Sequence, residues 1–546
     1  MFRDFFRTIR SYTFGEKITS AMLLVVFVLS GWGAIHASPG AGDNSTYVEG
    51  TVGRILVLNP LFVNFNDVDR DVGGLIFSGL LKYDASKGKM VEDLATMSLN
   101  DTQTVYTFTI RDGVYFHNGK PVTADDIYFT YHDLIQSEDF SNAALRANFD
   151  GVTITKKDAR TVQFQISQPN SFFLTNFSIG ILPKSVYEKV PPGDLLTSDL
   201  NKNPVGSGPY KVSDGYILNS RGDGKLSLSR FDKYYGGLPH VKQIVIRTYA
   251  SSDRLLANIS DLDAVSKVSG DLIAQLKDTK FTLHPYELPQ YRAAFFNTSR
   301  PFVKERSVRF ALEKSLNKED LLKQLPSKVG VDTPFMELDQ QEWSSKSDIA
   351  AARLALSDAG YKYDNPKNPD VRKDKKGTPL AIRVVYFQKS DKNHGTDEDE
   401  ITAQFLKKSW EDIGINVQLE PHSPEERADI VSQHDYDVLL TGESLGYDLD
   451  TYFFWHSSQA TDGGSNLSNY RNFSADALIE DIRRYVDEDR KSKRLVQLAK
   501  TVSGDIPAAF LYRPVYFYAT DDKFKGYVLT HLAFAADRFF NIQLWQ

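Results

Sequence analysis

Cysteine is absent from the 546 residues. That excludes disulfide scaffolds, thiolate metal centres, iron–sulfur clusters, thiol nucleophiles and lipid attachment through an N-terminal cysteine. An excess of positive charge is missing too: 64 Lys and Arg face 71 Asp and Glu, for a net charge of −7. No basic stripe runs through the body, and phosphate binding needs clustered cations, so nucleic acid is not an expected partner. The ten histidines form no H-E-x-x-H pair, so neither a dedicated metal site nor a cofactor is expected. No period of roughly 20 to 50 residues repeats, which argues against solenoids and propellers. Hydrophobic residues make up 41% and charged residues 25%. These ordinary globular values exclude disordered, collagen-like and polytopic membrane chains. The length suggests about three to four domain-sized units.

One long apolar run is present. Residues 18–35 contain no charge and no proline. As a helix rising about 1.5 Å per residue they span roughly 27 Å, enough for a hydrocarbon core. Arg3, Arg7, Arg10 and Lys17 precede the run, against Asp4 and Glu16. This charge bias keeps the N-terminus cytoplasmic and sends the rest outward. The expectation is a single-pass anchor: a cytoplasmic segment 1–17, a transmembrane helix 18–35 and a linker 36–45. A cleaved signal peptide competes with it, although Ile35-His36-Ala37 makes a mediocre cleavage site. Either way the body lies on the extracytoplasmic side, periplasmic or extracellular.

Within the body, strand and helix signals mix. Residues 105–111 alternate β-formers and read as a strand; 114–116 and the turn residues Asn118-Gly119 follow. Thr123 with Asp126 reads as the capped start of a helix that continues through Leu134. Further strands are expected at 241–249, up to 297, and at 382–387, 417–420 and 436–441. Helices are expected at 303–322, 350–360 and 401–412, the last two stopped by Gly360 and Gly414. From about 290 to 440 this alternation argues for α/β layering. Residues 363–378, rich in Lys, Asp, Pro and Gly, read as a solvated hairpin or loop without the spacing of a calcium loop. Arg309 sits i±4 from Glu305 and Glu313, which suggests an ion-pair role.

Residues 99–134, containing TVYTFTIRDGVYFHNGKPVTADDIYFTYHDL, resemble the signature region of family 5 extracellular solute-binding proteins. These are the oligopeptide-, dipeptide- and nickel-binding components of ABC importers. Asn59-Pro60, LIFSGLL at 75–81, VGSGPY at 205–210, RFDKYYGG at 230–237, Phe296-Asn297, Arg306 to Arg309, Ala311-Leu312 and Asp505 to Tyr512 resemble further family segments, in family order. The resemblance implies an α/β, two-lobed periplasmic-binding-protein-like fold with an extra inserted subdomain, after the N-terminal transmembrane helix. Lobe I would comprise 46–90, 205–287 and the return segment 506–546, with an inserted subdomain at 91–204. Lobe II would be 288–505. The chain would cross between lobes near Leu288-Pro289-Gln290 and near 505–507, which permits hinge closure on a ligand.

By the same resemblance the ligand-binding candidates are Phe65, Asn66, Gln290, Tyr291, Asp448, Asp450 and Trp455. In peptide binders of the family an aspartate of the cleft loop pairs with the peptide's α-ammonium. Gly446 stands at that position here, so Asp448 or Asp450 is the expected substitute; both also suit turn or cap roles. The implied function is capture of peptides by hinge closure and delivery to ABC transporter permease subunits, by a monomer that is not an enzyme. The alternatives are a peptide-sensing or chaperone-like module without a permease, and a nickel chelate or haem as ligand. A third alternative is a serine hydrolase using Ser444 of the G-x-S-x-G string at 442–446, with His531 as base.

Overall fold

The computed structural model describes residues 45–546, apart from 326, 365–369, 389–396, 448 and 486. The proposed membrane span 18–35 therefore lies outside the described residues. Among the described residues no helix is long and apolar enough to cross a membrane.

Among the described residues, twelve strands join into one array. In the first half Thr46–Val52 lies parallel to both Gln243–Tyr249 and Ala264–Val268, and Gly224–Arg230 and Tyr210–Leu218 extend the edge antiparallel. In the second half Ala381–Phe387 lies parallel to Asn416–His422 and to Val438–Ser444. Parallel strands are covered on both faces, so they read as near-continuous apolar runs, as in Ile244, Val245 and Ile246. The helix Glu398–Glu411 supplies one crossover. Asp397 accepts the N–H groups of Asp399 and Glu400 at its start, and Gly414 ends the turn beyond it at φ +90°. That helix buries Thr402, Ala403, Leu406 and Trp410 on one side.

Side-chain alternation builds the second half's core. Ala294, Phe296, Val384 and Leu440 enter one apolar cluster, while Ala293, Phe295, Val385 and Leu439 enter another on the opposite face. In the first half a single cluster runs from Ile76, Leu226 and Ile246 into Phe108, Phe164 and Phe177. Phe108 and Phe164 belong to a separate four-stranded antiparallel sheet, Ala95–Leu99, Val105–Ile110, Thr161–Gln165 and Thr153–Lys156, and Phe177 comes from the short helix Phe173–Ser178 packed on it.

One long strand, Ala508–Thr520, runs through both halves. Its residues 508–512 pair with Gln290–Phe296, and 515–520 pair with Thr282–Glu287. The passage between halves therefore falls at 288–289 and between Pro514 and Val515. The second of these lies downstream of the 505–507 expected, because the strand keeps second-half partners as far as Pro514, where Lys328–Gly330 takes over the pairing.

Two local expectations change. The helix expected over 303–322 is two helices, Arg306–Lys314 and Lys318–Leu322, broken where the Ser315 hydroxyl donates back to Leu312 O (2.9 Å). Arg309 does not pair with Glu305 or Glu313. Buried, it donates to the carbonyls of Val303, Lys304, Asp505 and Ile506, closing the end of helix Glu488–Asp505. The described part of 363–378 is bridged at Lys362–Lys373 and Lys373–Pro379, a hairpin-like loop.

The turn at 205–210 shows why two glycines are needed. A Cβ on Gly206 would lie 2.1 Å from Ile76 O, and one on Gly208 2.6 Å from Ile76 C. His117, from the Asn118-Gly119 turn, stitches this segment down. Gly206 N–H donates to its Nδ1 (3.2 Å), so Nε2 carries the proton and donates to Gly208 O (3.1 Å). Burial pushes the His117 pKa down to about 4, keeping the ring neutral.

Candidate functional site

A cleft of about 670 Å³ lies where the two halves face each other. Its first wall comes from helix Asp67–Ile76 and the chain after it, from 170–180, and from the C-terminal segment around 534–543. The second wall comes from the loop after strand Val438–Ser444 and from Arg483, at the end of helix Phe473–Arg484. Gly446 opens that loop at φ +77°, a conformation that suits glycine.

The charged side chains of the cleft have partners within the chain. Arg483 donates through Nη2 and Nε to Asp450 Oδ2, at 2.8 and 3.0 Å, while Asp450 Oδ1 accepts the Tyr452 N–H (3.0 Å). The Arg483 guanidinium also lies 3.9 Å from the centre of the Tyr452 ring. Lys82 stands 3.8 Å from Asp93. Arg70 pairs with Asp67 at 2.9 Å and covers the Phe534 ring at 4.0 Å. Asp537 accepts the N–H groups of Phe534 and Ala533 and the hydroxyl of Tyr447. Burial still pushes its pKa up to about 6.

The walls also touch. Tyr447 packs between Tyr83 (4.7 Å) and Phe534 (4.9 Å). Ser171 N–H donates to the Arg483 carbonyl (2.7 Å), satisfying a helix-end acceptor. Phe172 beside it sits in the second half's apolar cluster, with Lys491 over its ring at 4.4 Å.

Of the residues singled out from sequence, Asp450 lines this cleft. Asp448 lies outside the described residues. Tyr291 and Trp455, each 1% exposed, sit in the second half's core instead of the cleft. Their strand and short helix turn them inward: Tyr291 donates to buried Glu443, whose pKa burial pushes up to about 8, and Trp455 packs against Phe295 and Phe510. Gln290 donates to the Tyr516 hydroxyl (2.7 Å), bracing the passage between halves. Asn66 caps helix Asp67–Ile76 and donates to Arg54 O, while Phe65 is 58% exposed outside the cleft lining. Ser444 ends a strand in register with Gln290, so it has no strand-to-helix elbow, and the hydrolase alternative has no geometry here. Sequence reasoning missed Arg483, Tyr447 and Asp537 as cleft residues. The 33-residue separation of Arg483 from Asp450 leaves no local signal.

Residues 89–465 match the family described as "Bacterial extracellular solute-binding proteins, family 5 Middle". The chain belongs to that family. This extracytoplasmic binding protein is similar to the oligopeptide-binding protein AppA of Bacillus subtilis (strain 168), with 26% identity over 88% of both chains. Its fold is that of the B. subtilis AppA structure in complex with a nonapeptide, at TM-score 0.72 and 23% identity, covering 92% of this chain and 98% of that one. The same holds for NikZ from Campylobacter jejuni in complex with Ni(L-His), at TM-score 0.73 and 22% identity, covering 92% and 99%. The binding protein thus has the mixed α/β, two-lobed architecture of a family that binds solutes and is not enzymatic. The two halves of the sheet correspond to its lobes.

Proposed function

We propose that this protein captures peptides between its lobes and delivers them to the permease subunits of an ABC importer. The observation that carries the reading is the cleft itself. Both lobes supply its walls, two backbone passages connect those lobes, and aromatic rings and asparagine amides line it. Such walls suit a peptide held by main-chain hydrogen bonds with side chains in pockets. AppA, an oligopeptide-binding protein by name, supports the ligand class. The lobe division belongs to this proposal: 46–90, 205–287 and 515–546 with the insertion 91–204 form one lobe, and 288–514 the other, the boundary expected at 506 moving with the pairing of the long strand. So does the location, a monomeric body held outside the cytoplasm by an uncleaved helix at 18–35. Among the predicted ligand contacts, Asp450 lines the cleft, where it is paired with Arg483.

Native mass spectrometry of the purified full chain tests the reading. Co-purified peptides released on denaturation are expected. A nickel chelate or a haem as the sole retained ligand would replace the peptide assignment. Disruption of neighbouring permease genes separates import from sensing: peptide uptake should stop while binding persists.

A further inference from the structure

Six charged side chains line the cleft, and the chain itself supplies a counter-charge or hydrogen-bond donors to each. Arg483 holds Asp450, Lys82 faces Asp93, Arg70 holds Asp67, and two amides and Tyr447 hold Asp537. Twelve aromatic rings line the same space, Phe77, Phe173, Phe453 and Phe540 among them. The polar groups between them include the neutral amides Asn148 and Asn176: Asn148 donates to the Asn176 side-chain oxygen, and Asn176 donates to Phe173 O. We propose that the cleft selects peptides whose seated side chains are aromatic or aliphatic and uncharged, and that it does not anchor the peptide's terminal ammonium on a carboxylate of its own. This proposal rests on the peptide reading above.

The physical reason is desolvation. A lysine or glutamate side chain entering the closed cleft leaves water and must find an opposite charge. Both Asp450 oxygens already accept hydrogen bonds, one from the Arg483 guanidinium and the other from the Tyr452 N–H. An incoming ammonium would have to break that pair, which costs much of what it gains. An apolar or aromatic side chain meets rings on several sides and loses nothing on leaving water. The cleft volume of about 670 Å³ falls in the ordinary range for small ligands, roughly 300–1,000 Å³, so the seated part of the peptide is short.

Calorimetry on the full chain in detergent tests this with four peptides: acetyl-Leu-Phe-Ala-Phe-amide, the same sequence with free ends, and blocked versions with Lys or Glu in place of Ala. Blocked and free forms are expected to agree within about threefold, and the Lys and Glu forms to bind about tenfold or more weakly. A free-ended peptide binding about tenfold tighter than the blocked one, or charged peptides binding as well as neutral ones, overturns the proposal and leaves the peptide reading standing. Failure of these four and of a mixed peptide pool to bind overturns both. A second measurement uses Arg483→Met, which removes the guanidinium from beside Asp450. The Lys-to-neutral affinity ratio should then move toward the Lys peptide by about tenfold or more. An unchanged ratio in a variant with the parent's circular dichroism rules out pairing as the cause of selectivity, and the wild-type series stands as a test even if the variant fails to fold.

Discussion

The Tyr447 hydroxyl donates to the Asp537 carboxylate over 3.0 Å, tying the cleft loop of the second lobe to the C-terminal segment of the first. The Tyr447 ring adds contacts to Tyr83 and Phe534, both on the first-lobe side. These contacts can be made only when the lobes are together. Removing the hydroxyl in Tyr447→Phe should cost the closed form about 1 kcal/mol, roughly a fivefold shift toward the open one. Distances between spin labels placed on the two lobes, measured without ligand, report that ratio. An unaltered distance distribution would deny Tyr447 a part in closure.

His117 sets a pH dependence. Its pKa is about 4 in the folded protein, against an ordinary value of 6.5. The folded value is depressed, so its contribution is complete above about 6.5 and is lost as the pH falls toward 4. The size is on the order of 3 kcal/mol. In urea titrations across that window, the stability difference between the parent and His117→Gln should shrink with falling pH. A constant difference would show that the buried ring is not what titrates.

Arg309 makes five hydrogen bonds to backbone carbonyls. Arg309→Met keeps much of the stem and removes every donor, leaving helix-end carbonyls unmet. A loss of about 2–4 kcal/mol is expected in chemical denaturation, well above that of an ordinary surface change. A loss below about 0.5 kcal/mol would mean that water replaces the guanidinium at no cost.

The anchor proposal is checked by cell fractionation with N-terminal sequencing. The full chain should stay with membranes, and deletion of residues 1–35 should release it. A soluble mature species beginning near residue 38 would establish a cleaved signal peptide in place of the anchor.

Much of the fold was legible because its signals are local. The Thr123–Asp126 cap box, the Asn118-Gly119 turn, and the glycines after helices Ile349–Asp358 and Glu398–Glu411 each act within one turn of chain. The helix break at Ser315 was less visible, since the pattern of Val308, Ala311, Leu312 and Leu316 reads through it. The candidate site was legible only in part. Asp450 is in the cleft, but Tyr291 and Trp455 come from neighbouring segments and face the core: one residue of register separates the two sides of the Tyr291 strand, and Trp455 ends a short helix whose other residues line the cleft.

Composition and motif order were enough to determine the α/β class, the family, the absence of thiol chemistry and the position of the cleft loop. Each depends on residue type or short spacing. Tertiary structure alone decided which charges in the cleft are already paired. Asp450 finds Arg483, Asp537 finds Tyr447, and Ser171 finds the Arg483 carbonyl across separations that no periodicity records. Their partners are set by where loops and helix ends meet, and that geometry is fixed by the packing of the whole core.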